Sequence, residues 1–164
     1  MIRSILLTTG FLFIHAFLHG QTVNQHIIHK SDLVKLLNPA SDTLYVLNFW
    51  ATFCVPCVEE LPAFRECEAA LRDKKVRFVY ISVDFKSRYQ SAFLPFIEKH
   101  LAQNEVYLLD EPDYNSWVNL VEPDWSGEIP MTAYRRGKPV LNEYFAGQQD
   151  STMLKNTLNK YLKQ

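Results

Sequence analysis

Seven consecutive residues, Leu44-Tyr45-Val46-Leu47-Asn48-Phe49-Trp50, carry no charge and only one amide. A continuous apolar run of this length suits a strand buried on both faces, as in the middle of a parallel sheet. Such a strand needs a crossover to its parallel neighbour, and the usual crossover is a helix. The sequence supplies one at once. Cys54-Val55-Pro56-Cys57 opens a helical pattern over residues 54–71, with Leu61, Phe64 and Leu71 on its apolar side. Pro56 falls in the first turn, where a missing N–H costs nothing.

The flanking pattern repeats this alternation. His26-Ile27-Ile28-His29 reads as a short strand, and Ser31 as a helix N-cap ahead of Leu33, Val34, Leu36 and Leu37. Residues 38–42 form a turn cluster, and residues 76–83 a second buried strand. Residues 86–102 read as helical, with Pro95 either kinking that helix or starting it. Residues 106–109 form a short strand. Residues 110–127 are loop-rich, with a helical turn around 116–121. Two strands, 131–134 and 140–145, flank the turn Arg136-Gly137-Lys138-Pro139 as a hairpin. A last amphipathic helix, capped by Asp150 or Ser151, carries Leu154, Leu158, Tyr161 and Leu162. Strands alternating with helices predict an α/β fold: a central mixed sheet flanked by helices. We divide the chain into a signal segment (1–20), an N-terminal extension (21–43) and the main domain (44–164).

The first segment reads as an address. Arg3 precedes a run from Ile5 to Leu18 that is almost wholly apolar and short of a full membrane span. That pattern predicts a secretory signal peptide, cleaved before Gln21 or kept as an anchor, and places the protein in the cell envelope, periplasm or medium. Disulfides are permitted there. Composition narrows the partners: a formal net charge of −1 offers no basic footprint for nucleic acid. Three cysteines in 164 residues are too few for a disulfide scaffold. One domain of this size is expected to act as a monomer.

Two thiols three positions apart at a strand-to-helix junction are placed for reversible disulfide chemistry. One helical turn brings them together, and unpaired N–H groups with the helix dipole favour the thiolate. A structural disulfide and half of a zinc site are the other readings of the pair. Zinc would need a second pair of ligands, but Cys67 has no cysteine or histidine close by in sequence, and His26 and His29 read more simply as part of an ordinary N-terminal segment. Cys67, between Phe64 and Leu71 on the helix, reads as a core thiol. Trp117 reads as a core anchor; Trp125 is either core or substrate rim.

The stretch from Asn48 to Pro62 resembles the active-site segment of thioredoxin-fold proteins, and most closely the exported TlpA/ResA-like thiol–disulfide oxidoreductases. Trp50, Pro56, Glu60 and Pro62 stand at the family's positions around Cys54 and Cys57. Ile129-Pro130, just before a strand, resembles the family's cis-proline loop. The resemblance runs from about Leu44 to Leu162. It implies a redox pair, Cys54 and Cys57, with Pro130 facing it. It implies substrate contact through Trp50, Val55, Pro56 and the backbone of Ile129. It also implies protein disulfides as substrates, a membrane thiol carrier as electron donor, and no metal or other cofactor. Asn48 stands where thioredoxins themselves keep a buried acid. Glu60 and Asp84 are then candidates for proton transfer, although as lone carboxylates both read more simply as solvated surface groups.

In the forward reaction, Cys54 attacks a substrate disulfide and Cys57 resolves the mixed disulfide. The same residues can run in reverse as an oxidase. A Cu(I) carrier using the two soft thiolates, and an interaction domain that merely keeps the fold, are the rival functions.

Overall fold

The structure is a computed structural model that describes residues 26–163. The signal-like segment lies outside the described residues. In chain order the elements are β1 (Ile27–Ile28), α1 (Lys30–Leu37), β2 (Leu44–Trp50), α2 (Val55–Ala70), β3 (Val76–Ser82), α3 (Leu94–His100), β4 (Val106–Leu109), α4 (Val118–Val121), β5 (Met131–Gly137), β6 (Val140–Ala146) and α5 (Ser151–Leu162). One six-stranded sheet runs in the order β1-β4-β3-β2-β5-β6. β1, β4, β3 and β2 are parallel; β5 is antiparallel to β2, and β6 antiparallel to β5. The expected mixed sheet flanked by helices is therefore what forms, with β2 in its interior.

The period of two along β2 explains why the run is apolar throughout. Leu44, Val46 and Trp50 face one core, built with α2, α3 and α5. Leu47, Phe49 and Ala51 face the other, built with α1, α4, Trp117 and Trp125. Both late tryptophans are buried: Trp117 stacks on Phe49, and Trp125 tilts against both. Each indole N–H donates to a backbone carbonyl, of Glu111 and Glu128 respectively. Trp125 is thus core and not rim.

Three local features depart from the sequence reading. α1 begins at Lys30 with His29, not Ser31, as its N-cap. The His29 N–H donates to Asp32, and the Lys30 N–H to Glu111 beyond β4. The expected helix at 86–102 is broken into a tight turn (Lys86–Arg88), a wide five-residue turn (Tyr89–Phe93) and α3. Pro95 starts α3, because its ring and missing N–H stop the hydrogen-bond ladder running through it. The hairpin strands extend to Gly137 and Ala146, and its turn contains a cis Lys138–Pro139 bond. Gly137 is required there: a Cβ would meet the Pro39 carbonyl oxygen at 2.1 Å.

Candidate active site

β2 ends by delivering the chain to the carboxyl edge of the sheet, where open α/β sheets bind ligands. Residues 51–54 make the turn into α2, and Cys54 is the N-cap of that helix. Cys54 and Cys57 are joined by a disulfide, with Cα atoms 5.3 Å apart. The Cys57 N–H points at the Cys54 sulfur, 3.3 Å away. This free N–H at a helix start is the group that stabilises negative charge on sulfur when the pair is reduced. The two sulfurs are not equivalent: Cys54 is half-buried, whereas Cys57 is 0% exposed. Opposite the pair, the Ile129–Pro130 bond is cis, and the Ile129 carbonyl oxygen lies 3.8 Å from the Cys54 sulfur.

The turn that presents Cys54 is locked by Asp84. Its carboxylate accepts from the Thr52 N–H (2.9 Å), the Thr52 hydroxyl (2.6 Å) and the Ser82 hydroxyl (2.6 Å). The expectation of a solvated surface group is overturned for Asp84, which is buried. A carboxylate carrying three donors is a clasp between the ends of β2 and β3, with its acceptors already committed.

Glu60 also departs from the surface expectation. It is 2% exposed, because it shares the inward stripe of α2 with Cys57, Phe64 and Cys67. Asn48 donates to one of its oxygens (2.7 Å) and the Gln149 N–H to the other (2.8 Å). Burial still dominates and pushes its pKa up to about 7, against the lowering effect of those two bonds. Around it the polar network continues. The Gln149 side chain donates to the Thr132 hydroxyl, and Tyr134 donates to Gln149. Among the described residues, none partners the buried Asn48 Oδ1.

A strap of three residues joins this network to the cis-proline loop. Gly147, with φ +110°, donates its N–H to the Pro130 carbonyl (2.9 Å), and two residues on Gln149 holds Glu60. The sequence reading missed Gln149; one glutamine in a polar stretch between a strand and a helix gives no signal of its own.

The remaining candidates separate by position. Val55 and Pro56 are exposed beside Cys54, and Ile129 is half-buried. Trp50, expected to contact substrate, is wholly buried. Its ring tilts against Phe96 at 5.1 Å, because position 50 faces the α2 and α3 side of the sheet. It supports the site from beneath. Cys67 is buried, and burial pushes its thiol pKa up. His26 and His29 bond to the backbone carbonyls of Val106 and Asp110, along β1 and β4. Among the described residues, no group of three or more His, Cys, Asp or Glu side chains gathers as metal ligands would.

Comparison with known proteins agrees with this geometry. The thiol-disulfide oxidoreductase ResA of Oceanobacillus iheyensis is 44% identical over 65 residues, 40% of this chain and 30% of that protein. The thioredoxin-like protein YneN of Bacillus subtilis is 36% identical over 55 residues, 34% of this chain and 31% of that one. The matches thus span less than a third of either relative. A solved thioredoxin-related protein from Neisseria meningitidis serogroup B superposes with a TM-score of 0.63 at 18% identity. That superposition covers 76% of this chain and 87% of that one, a likeness of fold. The profile of the AhpC/TSA family matches residues 22–114, a stretch that takes in β2, the cysteine pair and all of α2. With more than half its length inside that match, and a TlpA/ResA-like thioredoxin fold around the pair, the chain belongs to the AhpC/TSA family.

Proposed function

We propose that this protein is an exported thiol–disulfide oxidoreductase that reduces protein disulfides through Cys54 and Cys57. The observation that carries the reading is the asymmetry of the pair at the start of α2. One sulfur reaches solvent beside a cis-proline loop, and the other is buried on the helix face that carries Glu60.

In the reduced protein, the Cys54 thiolate attacks a substrate disulfide. A Cys54–substrate bond forms, and the substrate's other sulfur leaves as a thiolate that takes a proton from water. Cys57 then loses its proton and attacks the Cys54 sulfur. The second substrate thiolate departs, and two electrons have passed to the substrate. Glu60, poised near neutrality, is the acceptor we assign to the Cys57 proton. Asp84 holds the turn and takes no part in the proton transfer. The exposed Val55 and Pro56 and the Ile129 backbone line the approach to Cys54, while Pro130 shapes the loop. An external dithiol returns the Cys54–Cys57 bridge to the reduced state, and a membrane thiol carrier is the donor that fits an exported protein. The signal-like N-terminus supports export.

A Cys57→Ala variant is expected to accumulate mixed disulfides through Cys54, recoverable from cells by non-reducing electrophoresis. Finding none would sink the mechanism. Direction is read from the reduction potential: about −270 mV marks a reductant and about −120 mV an oxidant.

A further inference from the structure

At the carboxyl ends of β3 and β4, on the sheet edge that also carries the redox pair, the fold leaves a cleft of about 180 Å³. Its apolar walls are Val83, Phe85, Leu109, Pro112, Tyr114 and Trp117. Trp117 and Leu109 are buried at its base, whereas Phe85 is 63% exposed and Tyr114 37%. The charges at the rim are engaged. Lys86 pairs with Asp110, and Glu111 accepts from the Lys30 N–H. Three carboxylates, Asp84, Asp110 and Glu111, stand against one lysine around the cleft, so an anionic group is repelled, while an apolar group finds two aromatic edges open to solvent.

Position identifies the occupant. Asp84 lines the cleft and also clasps Thr52, two residues before Cys54. Neighbouring strands lie about 4.8 Å apart, so the gap between β3 and β4 is about 7 Å from the end of β2. An extended peptide advances about 3.3 Å per residue. A polypeptide whose cysteine sits at Cys54 thus brings a side chain two or three residues away to the mouth of the cleft. A cavity of about 150 Å³ holds a benzene ring, so this cleft is the size of one side chain.

We propose that the cleft is a substrate side-chain subsite, taking one aromatic or long aliphatic side chain two or three residues from the substrate cysteine under attack. The proposal rests on Cys54 being the attacking thiol. One apolar group in such a pocket is expected to change kcat/KM by about tenfold or more.

The test uses disulfide-linked peptides with Phe, Leu, Ser or Asp at those two positions, and hydroxyethyl disulfide as a substrate lacking side chains. The wild-type protein is expected to favour the Phe and Leu peptides over the Asp peptide by about tenfold. That ratio is expected to fall toward one in Phe85→Ala and in Tyr114→Ala. It is expected to persist in Val140→Ala, at the far hairpin, where the removed side chain is exposed. Melting temperatures confirm that each variant is folded. Turnover of hydroxyethyl disulfide with a flat peptide profile, or a preference that survives both aromatic replacements, overturns the subsite alone. Absence of any turnover of hydroxyethyl disulfide overturns the thiol-exchange reading beneath it.

Discussion

Glu60 ties stability to pH through a single buried proton. In the unfolded chain its carboxyl titrates near 4.5, and in the fold near 7. Between those values the folded state binds the extra proton, so unfolding releases it and stability falls as pH rises. The contribution is complete below about 4.5 and gone above about 7, a span of about 3 kcal/mol at most. Urea unfolding of the oxidised protein at pH 5 and pH 8 is expected to show this fall. The Glu60→Gln variant is expected to lack that part of it. The replacement amide still finds partners, since the unpaired Asn48 Oδ1 can accept from it. At the same scale, the three thiols of the reduced protein are expected to separate by reactivity. Iodoacetamide modifies Cys54 first, as the half-exposed thiol at a helix start, while buried Cys67 reacts only after denaturation. Peptide mapping after timed alkylation reads the order, and early labelling of Cys67 would contradict it.

The elements that hold the site are stabilised by polar contacts that cross between strand ends. Removing the Asp84 carboxylate leaves the Thr52 N–H, the Thr52 hydroxyl and the Ser82 hydroxyl without their acceptor. Asp84→Ala is expected to destabilise the protein by about 2–4 kcal/mol in urea unfolding, since buried donors left unmade are costly. This clasp was not legible in the sequence, because Asp84 meets Thr52 only once β2 and β3 lie side by side. The start of α1 at Lys30 was missed for a similar reason: the Lys30 N–H donates to Glu111, which arrives from beyond β4. Glu60 differs, as its spacing to Cys57, Phe64 and Cys67 already placed it on the buried stripe. The general exposure of lone carboxylates points the other way from that periodicity. β2, α2 and the cysteine pair were fully legible, because a continuous apolar run and a helix-start proline are local signals.

On the scale of the whole molecule, β2 is shared by two cores, one on each face of the sheet. Neither core is closed without it, so both should be lost together in one unfolding transition. Trp117→Ala, which empties the centre of the core under α1 and α4, is expected to cost about 3–5 kcal/mol while keeping the transition single. Separate transitions by tryptophan fluorescence and far-ultraviolet circular dichroism would refute the sharing. The strap from Gly147 to Gln149 extends this coupling to the reactive edge. A charged Glu60 grips the Gln149 N–H more strongly than a neutral one. Protonation thus slackens the end of a short segment whose other end is tied to the Pro130 carbonyl. Seen by amide hydrogen–deuterium exchange, the Gly147 and Gln149 amides become paired reporters. Their protection should weaken together as pH falls through about 7, so the loop beside Cys54 registers the proton held at Glu60.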